Sequence, residues 1–150
     1  MIANGPNLVY HDAIFEPMVF EKMTGPGGVS WGMSEAGYDI RIAQDTWFFP
    51  FRRFRLRSTI ERFKMPNDLV AVIHDKSTWA RRGLSVLNTV AEPGWEGWLT
   101  LEIVYHRWWP LFVPAGAGIA QVLFHQLTNP AAYDGKYQMQ ENRPVAARES

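Results

Sequence analysis

The sequence has no cysteine among its 150 residues. That one absence excludes disulfides, thiolate nucleophiles and zinc-thiolate sites, and a small disulfide-free chain fits the cytoplasm, or the host cytoplasm for a viral protein. Long apolar runs are missing as well. Nothing approaches the roughly 18 residues of a membrane-spanning helix, and no basic segment followed by an apolar run opens the chain. The expectation is a soluble protein with no membrane partner. Neither sign of charge is in excess, with 15 Lys and Arg against 15 Asp and Glu. Without a global basic field the chain is not expected to hold a nucleic acid polymer, so any anionic ligand must be met by local groups. The histidines His11, His74, His106 and His125 fall into no HExxH spacing, and no zinc site is expected from them. Internal repeats and low-complexity segments are absent.

What is present is apolar and aromatic, 47% and 14% of residues. That suffices for one good core in a chain too short for two ordinary domains. Short strands punctuated by Gly and Pro recur, and helical periodicity is almost missing. Strands are expected at 29–42 with a bend at Gly37, as a pair over 46–57, and at 69–73, 84–87, 98–105, 111–113 and 119–127. A single helical turn is expected at 78–82, closed by Gly83. The pattern predicts an all-β single domain over 14–128, a distorted barrel or jelly roll. Residues 1–13, around Asn4-Gly5-Pro6, read as a flexible start, and 129–150 as a polar tail. Arg52, Arg53, Arg55 and Arg57 form a basic stripe between aromatic residues and are expected to face solvent.

Polar chemistry concentrates between residues 75 and 102. Lys76, Ser77, Thr78 and Arg81 offer a cation, two hydroxyls and a guanidinium within a short helical span, with Ser77 and Arg81 on one side of it. Glu92-Pro93-Gly94-Trp95-Glu96-Gly97 reads as a tight turn. An alternating strand follows, with Trp98, Thr100 and Glu102 on one face and Leu99, Leu101 and Ile103 on the other. Glu102 is therefore a carboxylate set in an otherwise apolar strand. On the residues alone it also fits an exposed strand glutamate, and Trp95 and Trp98 fit core or interface aromatics as well as base-stacking ones.

These motifs, in this order, resemble the dCTP deaminases, a branch of the trimeric dUTPase-like superfamily. Carrying the resemblance are Lys76-Ser77-Thr78-Trp79-Ala80-Arg81, the Glu-Pro-x-Trp-Glu-Gly turn, Thr100-Leu101-Glu102 and Gly135-Lys136-Tyr137-Gln138-x-Gln140. Ser34-Glu35-Ala36-Gly37-Tyr38-Asp39-Ile40-Arg41 is similar to the family's entry strand, and Ile119-Ala120-Gln121-Val122-Leu123-Phe124 to its closing strand. The spacing from Arg81 to Glu92, through Asn88-Thr89-Val90-Ala91, resembles a shorter-loop subgroup of the family. Two positions depart from the pattern: Asp75 and Met139 each stand where glycine is usual. Family members usually carry a longer N-terminal region with a helix.

The resemblance implies a homotrimeric, dUTPase-like distorted β-barrel that converts dCTP and water to dUTP and ammonia without a catalytic metal. In that reading Glu102 is the general base and acid, and Ser77 and Arg81 hold the water and the tetrahedral centre. Lys76 would meet the triphosphate and Glu92 the sugar 3'-hydroxyl, with Thr78, Thr100 and Leu101 also binding nucleotide. Tyr133, Lys136 and Gln140 belong to the tail, 129–150, which the resemblance folds over the nucleotide. Mg2+ would arrive on the triphosphate, with no zinc involved, and dUTP and dTTP are further candidate ligands. Two other readings stay open. One is a dUTPase or a bifunctional enzyme releasing dUMP and pyrophosphate; the other is an inactive trimeric nucleotide-binding or regulatory module.

Overall fold

The computed structural model describes residues 1–11 and 13–149. In chain order its elements are β1 (Ile2–Ala3), α1 (Gly5–Leu8), β2 (Phe15–Glu16), β3 (Lys22–Thr24), β4 (Ser30–Met33), β5 (Tyr38–Arg41), β6 (Thr46–Phe48) and β7 (Phe54–Lys64). Then come β8 (Leu69–Asp75), α2 (Ser77–Arg81), β9 (Leu84–Val86), β10 (Thr89–Ala91), β11 (Glu96–Tyr105), β12 (Leu111–Val113) and β13 (Gly118–Gln126). The larger sheet runs β10-β8-β13-β5-β4-β3, with β1 also paired to β13; the second runs β2-β7-β11-β9, and β12 and β6 form a separate ribbon. The all-β expectation holds. Apart from a short 3-10 turn, the helices among the described residues are α1, of 4 residues, and α2, of 5.

Alternation along the long strands turns one face of each sheet inward. Ile40, Ile73, Val122, Leu101 and Ile103 are fully buried between the sheets. An aromatic line joins them, in which Phe15 lies 4.5 Å from Tyr38 and 4.8 Å, edge-on, from Phe63, which in turn lies 5.6 Å from Trp95. Burying rings of this size supplies the largest single apolar contributions a small core can have. One charged pair is sealed in with them. Glu61 is fully buried and accepts from the Arg41 backbone N at 2.8 Å and from Arg41 Nε at 2.7 Å, while the guanidinium lies 3.7 Å over the Trp31 ring. Burial pushes the Glu61 carboxyl up against the pull of Arg41.

The structure departs from the sequence-based expectation in several places; within the pair expected over 46–57, for example, β6 takes β12 rather than β7 as its ladder partner. The strand expected over 29–42 is two strands. Ser34 N donates to Gly37 O and the Ser34 hydroxyl accepts from Gly37 N, which closes a turn between β4 and β5. The arginine stripe is not simply solvated: Arg57 Nε donates to Thr46 Oγ1 at 2.6 Å, Arg53 Nε to Pro50 O at 2.8 Å and Arg55 Nη2 to Trp47 O at 3.3 Å. Arg55 and Arg57 fasten the β6–β12 ribbon to β7, and Arg53 closes the turn between them. The N-terminal residues, expected to be loose, include β1 paired to β13 and a fully buried Leu8.

Candidate active site

The turn before β11 and the tail build the site together. Gly97 has φ +140°, and a Cβ there would come within 2.5 Å of Gln140 N, so only glycine lets the tail lie against the turn. Trp95 Nε1 donates to Tyr137 O at 2.7 Å, Glu96 N to Gln138 Oε1 at 2.8 Å, Met139 N to Glu96 O at 2.9 Å and Trp98 N to Gln140 O at 3.1 Å. A register shift between Trp98 and Thr100 breaks the strict alternation expected of this strand, and Leu99 N turns to donate to Thr59 Oγ1. Leu99, Thr100 and Glu102 consequently line one cleft.

That cleft encloses about 510 Å³. β11 supplies Thr100 and Glu102, and β7, paired to it with Leu56 opposite Glu102 and Phe54 opposite Val104, supplies an apolar wall. Thr89 and Val90 of β10, Glu92 and Trp95 of the turn, and Tyr133, Tyr137 and Val145–Ala147 of the tail complete it. The Thr100 hydroxyl accepts from Val145 N at 3.0 Å and from Gln140 Nε2. Two positions on, the half-buried Glu102 has no cation paired to it among the described residues. Desolvation raises its pKa above the ordinary glutamate value, opposed only in part by a backbone hydrogen bond. A carboxylate so placed is a stronger proton acceptor than a solvated one.

Thr100, Glu102, Glu92, Tyr133 and Gln140 are thus brought to one cleft. The Leu101 side chain is fully buried in the core, so only its main chain is open to a ligand. Lys136 is exposed on the tail and is not among the cleft-lining residues. Lys76, Ser77, Thr78 and Arg81 do not line the cleft either. α2 is anchored by Trp79, which is 2% exposed and donates Nε1 to Gly118 O at 2.7 Å, and this leaves Ser77 and Arg81 exposed. Lys76 instead pairs with Asp39 Oδ2 at 2.5 Å and donates to Ser30 Oγ at 3.2 Å. Asp75, at a usual glycine position, accepts from Val86 N at 2.6 Å and so ties β8 to β9. Among the described residues no three His, Asp or Glu side chains are grouped to hold a metal ion.

Sequence reasoning missed Phe54, Leu56, Tyr137 and the Val145–Ala147 wall. The Phe54-Arg55-Leu56-Arg57 alternation carried the signal for the first two, because a basic stripe implies an apolar stripe between its members. Val145–Ala147 carried no such signal. They matter through main-chain position rather than side-chain type.

Comparison with solved structures defines the class. The chain resembles a mutant dUTPase from phage phi11 of S. aureus with a TM-score of 0.57 at 15% identity, over 69% of this chain and 84% of that one. It resembles the native dUTPase of EIAV with a TM-score of 0.55 at 18% identity, over 71% and 88%. The fold is the all-β dUTPase-like one. Residues 38–127 match the family model described as dCTP deaminase-like. The dCTP deaminase of Campylobacter lari is 38% identical over 80% of this chain and 82% of the relative, and that of Herpetosiphon aurantiacus 38% over 85% and 86%. The chain belongs to the dCTP deaminase family.

Proposed function

We propose that the protein hydrolyses dCTP to dUTP and ammonia, with Glu102 moving the protons. The observation that carries this reading is the half-buried, unpaired carboxylate of Glu102 at an apolar-walled cleft, its pKa raised by desolvation. Glu102 takes a proton from water as the oxygen adds to cytosine C4 and gives it to N3, then takes the hydroxyl proton of the tetrahedral centre and gives it to the departing amine. The C4–N bond breaks, ammonia leaves and the C4 carbonyl forms. Phe54 and Leu56 exclude bulk water from one side, which strengthens every charge interaction inside. Glu92 meets the sugar 3'-hydroxyl, the main chain at Thr100 and Leu101 meets the base, and Tyr133, Lys136 and Gln140 close the tail, 129–150, over the nucleotide. Mg2+ arrives bound to the triphosphate as part of the substrate.

The cleft lacks Lys76, Ser77, Thr78 and Arg81 of its own chain, and Ser77 and Arg81 are exposed on α2. In the proposed homotrimer α2 of one copy completes the cleft of the next, with Ser77 and Arg81 holding the water and the tetrahedral centre. Lys76, held by Asp39, stands behind α2 with Thr78 on the triphosphate side. A sedimentation mass equal to one chain at working concentration refutes the shared site.

The test of the chemistry is Glu102→Gln, which keeps size and hydrogen bonding but cannot accept the proton. Turnover should fall about 10²- to 10⁴-fold with near-normal dCTP binding. A folded variant retaining more than about a tenth of wild-type turnover shows that Glu102 is not the base. Separating the nucleotide products distinguishes the deaminase, giving dUTP, from a bifunctional enzyme giving dUMP, and from an inactive binding module.

A further inference from the structure

The tail ends in a pair of cations that hold each other. Lys136 Nζ donates to Arg148 O at 2.6 Å, and Arg148 Nη1 donates to Lys136 O at 2.6 Å. Both charges lie over one ring, with Lys136 Nζ 5.5 Å and Arg148 Cζ 5.8 Å from the Tyr137 centroid, and Arg148 N donates to the Tyr137 hydroxyl at 3.1 Å. Tyr137 and Ala147 line the cleft, so the pair stands at its rim. Neither cation makes an ion pair with a carboxylate among the described residues. Two like charges gathered on one aromatic face, each hydrogen-bonded to a neutral peptide oxygen, repel one another; the Glu141 carboxylate, itself paired with Arg143, offsets Arg148 only from a distance, so the pair favours an anion between or beside them. Of the guanidinium donors only Nη1 has an acceptor among the described residues, which leaves Nε and Nη2 for a forked contact with an oxyanion.

We propose that Arg148 is a second cationic contact for the phosphate end of the nucleotide, acting beside Lys136 at the rim of the cleft. This rests on the nucleotide reading of the site and extends it to a residue beyond both the family-model match and the motifs that resemble the family. Arg148 contributes to affinity through phosphate groups rather than to proton transfer, since Glu102 stands on β11 inside the cleft and Arg148 on the distal tail. It therefore discriminates nucleotides by phosphate number.

The experiment compares wild type, Arg148→Ala and Arg148→Lys, using initial rates with dCTP and calorimetric affinities for dCTP and dCMP in the Glu102→Gln background, where turnover is blocked. Arg148→Ala should raise KM for dCTP about tenfold at unchanged kcat and lower dCTP affinity by a similar factor, the scale of one exposed charge-assisted contact. Its dCMP affinity should stay within about twofold, and Arg148→Lys, which keeps the charge but loses the fork, should recover only part of the loss. Equal losses for dCTP and dCMP would make Arg148 a structural clasp and overturn the proposal, as would an unchanged KM or a fall confined to kcat. If wild type neither deaminates nor binds dCTP, the nucleotide reading itself fails and this proposal fails with it. An active wild type with an indistinguishable Arg148→Ala variant removes Arg148 alone.

Discussion

Thr100→Val tests whether the tail is fastened to the strand that carries Glu102. Valine has the shape of threonine and suits the middle of β11, so packing survives and only the hydroxyl is lost. Two donors then lose their acceptor: Gln140 Nε2, on a side chain that is 6% exposed, and Val145 N, which is half-buried. Leaving a buried donor unmet costs about 1–3 kcal/mol, and the half-buried amide adds less because water can reach it. The chain can avoid most of that cost by releasing the tail rather than unfolding the barrel, since the aromatic core does not depend on Val145. A local loss near 2 kcal/mol corresponds to about 30-fold faster opening of the tail. Hydrogen exchange followed by mass spectrometry should show that acceleration in peptides spanning 136–149, with β13 and β8 unchanged. If exchange rises equally in tail and barrel, or stays as in wild type across the tail, Thr100 is a core residue and the fastening argument is wrong.

Met139 has φ +57°, a left-handed conformation that costs a side-chain-bearing residue about 1–2 kcal/mol. Met139→Gly should gain about 0.5–1 kcal/mol after the entropy of glycine is subtracted, seen as a small rise in thermal midpoint; a fall would mean that the Arg62 contact of the sulfur outweighs the backbone. Glu61→Ala strands the Arg41 guanidinium and should cost about 3–5 kcal/mol in urea unfolding, with a loss under about 1 kcal/mol refuting a structural pair. The acid limb of kcat/KM should lie above the ordinary glutamate value of about 4.3, because burial raises the Glu102 pKa. The stability linkage has the matching sign: the folded protein binds the Glu102 proton more tightly than the unfolded chain, so the contribution is full below the unfolded pKa and is lost as pH rises through the folded one. A limb at or below the ordinary value contradicts this.

Period made β8, most of β11 and the later part of β13 legible from the sequence, because buried residues there recur every second position, while β12 was marked off by Pro110 and Pro114. The single turn of α2 was legible to within a residue, since Gly83 must follow it with φ +93°. What could not be read was pairing at a distance. Asp39 looked like one more strand residue, yet it is 3% exposed and neutralises Lys76, the cation assigned by resemblance to the triphosphate. Glu102 stood out as a charge in an apolar run, but its apolar neighbours Phe54 and Leu56 come from a strand more than forty residues earlier. The tail was least legible of all. Its contacts are mostly backbone to turn, so composition describes it as loose while hydrogen bonds hold it down.

The link between Gly97 and Gln140 is parallel, whereas every strand pairing in the two sheets is antiparallel. Anchors on the tail therefore advance in the same direction as those on β11: Gln138 and Met139 with Glu96, Gln140 with Trp98, then Val145 with Thr100. Once Arg148 is freed from Lys136 and Tyr137, a pull on the distal end meets these bonds one after another, as adhesive tape is peeled, instead of shearing them together. The Val145–Ala147 wall lifts first while the turn stays stuck. Mechanically the cleft can be uncovered and covered again without loading the barrel, and a bulky fusion placed just past Glu149 would act as a lever on that wall.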